Sequence, residues 1–298
     1  MAPRLGRAAR RERLVLTTML TPALALLALL IVLPVLLTPI FSFFHVDLFG
    51  GVISFVGTQN WAAEVANGEL ITGTANTLGY ALLTVPTSLA LGMCCALAID
   101  RVRFARSFWR TAFFLPAAAT LAAMAVAWKA MMAPGGPFDA LVGDISGVSD
   151  WLSDYRLALP AIAIVGVWQQ FGYNTVLFAA GLSTLPREPM EASILDGVNA
   201  WQRFWRIMLP MMGPSVVFAI VTSTMTALKA FDQIQVMTGG GPGDSTRTLP
   251  LMIYSRGMSY LDIGGGAVLA TAMLAIVMLV TVWQVRRLRH LEESGTSR

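Results

Sequence analysis

The amino-acid sequence predicts an all-α integral membrane protein of six transmembrane helices with both termini in the cytoplasm. Three observations predict it. The 298-residue chain is 56% hydrophobic and only 13% charged, with a mean hydropathy of +0.66, where a soluble domain carries roughly 25% charge. Six uncharged runs each reach the ~18 residues that mark a candidate spanning helix. Arginine and lysine crowd into alternate connections between the runs, as a bundle obeying the positive-inside rule requires. Spanning β-strands would be ~10 residues of alternating polarity, and the sequence shows no such pattern.

The first run, Leu14–Phe44, follows five arginines in residues 1–13 (Arg4, Arg7, Arg10, Arg11 and Arg13). It is far longer than the ~7–15-residue apolar stretch of a signal peptide, so it reads as an anchored span. The second, Ile71–Ile99, contains Cys94 and Cys95. Adjacent side chains do not face one partner, so these two read as packing and not as a metal site or disulfide. The third, Thr111–Trp128, lies between Arg110 and Lys129, and the fourth, Leu157–Pro186, follows Arg156. The fifth, Ile207–Leu228, continues out of a charged connection, and the sixth, Ile263–Val285, ends at the arginines of a tail over 286–298. The six-helix domain is therefore 14–285.

Sixteen basic residues fall in the N-terminal tail, the second and fourth connections and the C-terminal tail; five fall in the other connections. Asp139, Asp144, Asp150 and Asp154 lie on the sparsely basic side. The net charge of +4 is thus explained by topology, with no need of a nucleic-acid partner. Pro22, Pro34, Pro39, Pro86, Pro116, Pro160, Pro210 and Pro214 sit in or at the ends of the runs. Bent helices around a cavity and simple helix ends both fit them.

Several chemistries are absent. There is no phosphate-loop pattern, no H-E-x-x-H and no nucleophile elbow, and His45 and His290 are at opposite ends of the chain. No Asp, Glu, Lys or Arg lies inside any run. Proton-driven carriers keep such groups at mid-membrane, although sodium can be held by carbonyls and hydroxyls. An ion-coupled transporter or channel is the alternative to be weighed.

The stretch "EASILDGVNAWQRFWRIMLP", Glu191 to Pro210, breaks the apolar pattern within a connection over about 187–206. Pro189 suits a helix's first turn, and Glu188 and Glu191 place negative charge at its N-terminal end. Met190, Ile194 and Val198 form an apolar stripe. Gly197 is a natural stop, and Asn199 with Gln202 makes an N-cap pair for a second helix entering the fifth run. An amphipathic connector on the bilayer surface and a docking element both fit this pattern.

Glu191-Ala192-Ser193, Gly197 and, after nine residues, Ile207, Leu209 and Pro210 resemble the signature loop E-A-A-x-x-x-G…I-x-L-P of permease subunits of ATP-binding-cassette importers. Ser193, for the second alanine, is the one departure, and serine is also small. "TPALALLALLIVLPVL" (Thr21–Leu36), "FVGTQNW" (Phe55–Trp61), "NTLGYAL" (Asn76–Leu82), "FWRTAFFLP" (Phe108–Pro116) and "FDQIQVMTGGGPGDSTRTL" (Phe231–Leu249) extend the resemblance over nearly the whole chain. They narrow it to the carbohydrate-uptake branch, on the side of the maltose-permease larger subunit.

The resemblance implies a type I ABC importer permease fold and a pore shared with a second permease subunit. It implies two cytoplasmic ATP-binding subunits that receive the loop, and an extracytoplasmic sugar-binding protein. ATP and magnesium would be held by those partners, with no cofactor or catalytic residue in this chain. Glu191 would contact the ATPase, Ala192 and Ser193 would permit close approach, and Gly197 would set the turn. For the solute path, the polar groups within spans are the candidates: Gln169, Gln170, Tyr173 and Asn174 clustered in the fourth, and Ser223 and Thr226 sharing a face of the fifth. Amides and hydroxyls suit a sugar, and Trp168, Phe171 or Tyr173 suit a pyranose face; interhelical packing is the competing role. The loop "TGGGPGD" (Thr238–Asp244) is placed to meet the binding protein or to act as a plain flexible connection.

Overall fold

A backbone with no water to hydrogen-bond must satisfy itself, and in lipid a helix does this within one segment. The computed structural model accordingly shows a predominantly helical chain; it describes residues 4–47, 50, 52–102, 106–140 and 150–296. Asp144 and Arg103 lie outside the described residues.

Helices α1 (Arg4–Leu27) and α2 (Leu33–Phe41) join through a π-helical turn, Ala28–Val32, into one rod. A short antiparallel hairpin follows, β1 (Phe44–Asp47) and β2 (Val52–Phe55), with Phe44 opposite Phe55. Next come α3 (Gln59–Ala66), α4 (Glu69–Arg101), α5 (Arg106–Ala118), α6 (Leu121–Met132) and α7 (Ala158–Ser183). Helices α8 (Arg187–Leu195) and α9 (Ala200–Arg203) lead through a second π turn, Phe204–Met208, into α10 (Leu209–Met211) and α11 (Gly213–Leu228). The chain ends with α12 (Asp232–Met237), α13 (Leu249–Tyr254), a π turn over Ser255–Ser259, and α14 (Ile263–Thr296).

The six apolar runs map onto helical segments, with three corrections of detail. Leu16–Phe41, Glu69–Arg101, Gly213–Met237 and Ile263–Arg286 are long and apolar enough to cross a bilayer. The third run is broken, not continuous: Thr111–Ala118 and Leu121–Met132 meet at 98°, a fifth span if the pair is counted as one. Pro116 lacks an amide to bond backwards, and Thr120 is extended at φ −67° and ψ 131°, so the helix restarts in a new direction. The fourth run, α7, has 26 residues, long enough at 1.5 Å each for a ~30 Å hydrocarbon layer. Its Gln169, Gln170 and Asn174 make it less apolar than the other four. The hairpin is the third correction; four-residue strands beside an apolar run give no distinct alternation.

Two of the π turns have a common cause. Pro34 and Pro210 each follow one, and the carbonyl four residues earlier, of Leu30 or Arg206, lies inside the turn. A proline ring collides with that carbonyl in a regular helix; widening the turn by one residue relieves the collision without breaking the rod.

Helix α7 is the hub of the bundle. Leu159 faces Gly79, Gly166 faces Tyr80, and Asn174 faces Gly92, so α4 and α7 run parallel. The contact is close because the residues are small, as association in lipid depends on packing without a hydrophobic drive. Asn174 donates to Ser88 Oγ at 3.4 Å and accepts from Ser223 Oγ at 3.2 Å, linking α7 to α4 and α11. Gly172 lies against the Phe113 carbonyl of α5. One apolar cluster gathers Tyr80, Ile162, Val165, Leu228 and Ile234, and a second gathers Met93, Phe178, Leu182, Met212 and Ala219. Gln284 donates to Thr224 at 2.8 Å and ties α14 to α11.

A Cβ at residue 92 would stand 2.6 Å from that of Asn174, whereas one at Gly213 meets nothing within 4 Å. Gly92→Val is expected to destabilise the detergent-solubilised protein by about 1–3 kcal/mol. Gly213→Ala is expected to leave the melting temperature at or above that of the parent.

Candidate functional site

The loop between α7 and α11 is built from local bonds. Helix α8 has Glu188 in its first turn and closes on Gly197, whose φ is +72°. Val198 N–H donates to the Ser193 carbonyl at 3.0 Å and Gly197 N–H to the Ile194 carbonyl at 3.1 Å, the paired bonds of a glycine-terminated helix. Space around Gly197 is open, so backbone conformation alone selects glycine, a left-handed L-residue costing roughly 1–2 kcal/mol. Asn199 Oδ1 accepts from Gln202 N–H at 2.8 Å and starts α9. The π turn and α10 carry the chain into α11, and buried Met212 anchors the junction against the Phe178 cluster.

Glu191 and Ala192 are exposed, whereas Ser193 is buried. The Ser193 hydroxyl donates to the Met190 carbonyl at 2.7 Å, so the serine replaces alanine without leaving a donor unpaired. Ile207 and Leu209 are half-buried in the stem and Pro210 is exposed. Of the Met190–Ile194–Val198 stripe, Met190 and Val198 are half-buried, whereas Ile194 is 59% exposed and neighbouring Leu195 is 88% exposed. Trp201 and Trp205 stack edge-to-face at 5.5 Å and both stay exposed.

The six polar residues singled out in the spans divide into two groups. Gln169, Gln170, Tyr173 and Thr226 line a cavity of about 450 Å³ with Ala117, Val221, Thr222 and Met225. Asn174 and Ser223 are fully buried and bond to each other, so they join helices and do not face the cavity. Sequence reasoning paired Thr226 with Ser223, three residues away. The neighbour that shares its face is Thr222, four away, and Val221 with Met225 repeats that spacing. Trp168 packs edge-to-face on Trp128 at 5.7 Å and Phe171 on Phe113 at 6.1 Å, leaving Tyr173 as the aromatic at the cavity.

A smaller chamber of about 160 Å³ shares Gln169, Gln170 and Thr226 with the first. Tyr80, Gly166, Lys229, Asp232 and Gln233 are among its other walls.

At the end of α4 remote from the loop lies a charged cluster that the sequence did not reveal. Arg256 is 3.0 Å from Glu64, 3.2 Å from Glu69 and 3.3 Å from Asp262. Arg247 pairs with Glu69 at 3.7 Å and Asp244 at 3.2 Å. Asn76 donates to the carbonyls of Asp244 and Arg247 at 2.8 and 3.0 Å, so the Thr238–Asp244 loop is fastened to α4 through its last residue. Glu64 is only 2% exposed, and its Oε2 has no hydrogen-bond partner among the described residues. Burial pushes its carboxyl above the ordinary carboxylate range; Arg256 opposes that shift, and Glu69 and Asp262 reinforce it.

A many-spanned helical bundle around a cavity lined by Gln169, Gln170, Tyr173 and Thr226, with a capped, exposed loop leading into a cavity helix, is the architecture of a membrane transport subunit. The chain belongs to the family of binding-protein-dependent transport system inner membrane components, whose model matches residues 88–290. It is 36% identical over 284 residues, 93% of this chain and 91% of the relative, to the sulfoquinovosyl glycerol transport system permease protein SmoG of Agrobacterium fabrum. The sn-glycerol-3-phosphate transport system permease protein UgpA of that organism is 31% identical over 242 residues, 80% of this chain and 83% of its own. The fold superposes on a chain of a bacterial ABC transporter that imports alginate with a TM-score of 0.81, covering 97% of this chain and 99% of that one at 18% identity. Family membership makes the chain a permease subunit of an ABC importer and decides against the ion-coupled alternative.

Arg256→Met leaves Glu64 buried without its cation and is expected to lower stability by about 3 kcal/mol, read as a fall in melting temperature. A raised carboxyl value means Glu64 contributes most below its ordinary value of 4.5, and that contribution is lost as pH rises through the raised value. The melting temperature of the parent relative to Glu64→Gln is therefore expected to fall as pH increases over that interval.

Proposed function

We propose that this chain is one of two permease subunits forming the pore of an ATP-driven carbohydrate importer in a bacterial inner membrane. Two cytoplasmic ATP-binding subunits, which hold ATP and magnesium, each receive one coupling loop, and an extracytoplasmic binding protein delivers the solute. Both termini and residues 187–206 face the cytoplasm, and the Glu64–Arg256 cluster faces outward. The basic-residue asymmetry supports this orientation.

One observation carries the mechanism. The capped helix α8 continues through α9, the π turn and α10 into α11, and α11 supplies Val221, Thr222, Met225 and Thr226 to the cavity. Movement imposed on the loop is thereby delivered to the cavity wall. Glu191, Ala192, Ile194 and Leu195 offer an exposed mixed surface to the ATPase, with Ser193 and Gly197 shaping the turn behind it. Closure of the two ATPases around ATP rotates the stems, and the cavity passes from opening on one side to opening on the other. Gln169, Gln170, Tyr173 and Thr226 line the solute path, while Asn174 and Ser223 hold its helices in place.

Carbohydrate as the solute is supported by the relatives' names: a sulfoquinovosyl glycerol permease, and the probable starch degradation products permease AmyD of Thermoanaerobacterium thermosulfurigenes at 26% identity. An extracytoplasmic partner is supported by the alginate transporter described in complex with a pentasaccharide-bound periplasmic protein.

Gly197→Leu and Glu191→Lys are each expected to abolish uptake and co-purification of the ATPase subunits while membrane insertion stays normal. Unchanged transport in both variants overturns the coupling role.

A further inference from the structure

The smaller chamber has a wall that neither the loop nor the main cavity explains. Gln233 is only 4% exposed, and its Nε2 donates to the Tyr80 hydroxyl at 2.7 Å. Its other end, Oε1, has no hydrogen-bond partner among the described residues. A buried amide acceptor left unpaired is unfavourable, where an apolar side chain of the same size would pack without that penalty. The pair is also specifically accommodated: a Cβ at Gly166 would collide with the Tyr80 hydroxyl, so glycine there is what lets Tyr80 stand at its present position. Gln233 lines the chamber, and rotation about the terminal torsion of an amide side chain is soft, so its donor and acceptor ends exchange places at little cost.

The charges on the chamber cancel. Lys229 and Asp232, both exposed, line it together, and the remaining polar walls are the amides of Gln169, Gln170 and Gln233 and the hydroxyls of Tyr80 and Thr226. An anion entering here meets a carboxylate as well as an ammonium and gains little. A hydroxyl donates to one and accepts from the other, and it does the same with each amide.

Resting on the proposed solute path, we infer that this chamber is its selective part. Gln233, positioned by Tyr80, reads a neutral polyhydroxylated group, and the importer prefers uncharged glycosides or polyols to their anionic counterparts.

The test uses the complete importer with its binding protein in proteoliposomes. Competing probes are neutral maltose, glucosylglycerol and glycerol against anionic glycerol 3-phosphate and sulfoquinovosyl glycerol. At least one neutral probe is expected to be carried with the highest kcat/KM. For that probe Gln233→Leu is expected to raise KM at least tenfold with kcat within twofold, and Tyr80→Phe to raise KM less. Gln233→Glu is expected to restore part of the affinity for the neutral probe without favouring the anions. Preference for an anionic probe, or transport of no neutral probe, overturns the inference. So does an unchanged KM in Gln233→Leu when Gln169→Ala raises it. If Gln169→Ala and Gln233→Leu both leave KM unchanged, the solute path itself is refuted along with the inference.

Discussion

The close approach of α4 and α7 is the constraint from which the rest of the structure follows. Glycines at 92 and 166 let Asn174 and Tyr80 occupy the seam between the two helices. In lipid no water is released when apolar surfaces meet, so association depends on shape and interhelical hydrogen bonds. Small residues shorten the distance between axes, and the short distance lets Ser88, Asn174 and Ser223 form one chain of bonds across three helices. The same seam brings Tyr80 within reach of Gln233 on α12. Cavity walls are thus by-products of helix packing and are held as rigidly as the packing itself.

Polar groups in the spans consequently have two fates set by position on the helix. Gln169, Gln170 and Tyr173 face the cavity, while Asn174, one turn beyond Gln170, is enclosed by α4 and α11. An amide in either place must find partners; within the seam it finds them in neighbouring hydroxyls, and at the cavity it leaves them for water or solute. A polar residue in an apolar span therefore has no single meaning, and its function depends on which neighbour lies opposite.

A helical stem connects the cavity to the loop. Proline at 210 would ordinarily weaken the helix that enters the membrane, yet the π turn before it absorbs the collision and keeps the stem continuous. The glycine cap lies at one end of this short arm and buried Met212 at the other. At the far end of the bundle, Arg256 joins Glu64, Glu69 and Asp262 across distant parts of the chain, so α3, α4 and the start of α14 are bound as a unit.

What the sequence by itself determined was whatever local physics decides. Long uncharged runs must form helices in lipid, which gave the all-α class and the six segments. Gly197, Asn199 and Gln202 satisfy orphaned backbone groups within a few residues, which made the loop legible down to its caps. The tertiary structure alone decided the rest. It broke the third run at Thr120, separated Thr226 from Ser223, and left Ile194 and neighbouring Leu195 exposed. It also drew Glu69 to Arg256, 187 residues away. Those outcomes depend on which surfaces come face to face, and no periodicity within a single helix encodes its partner.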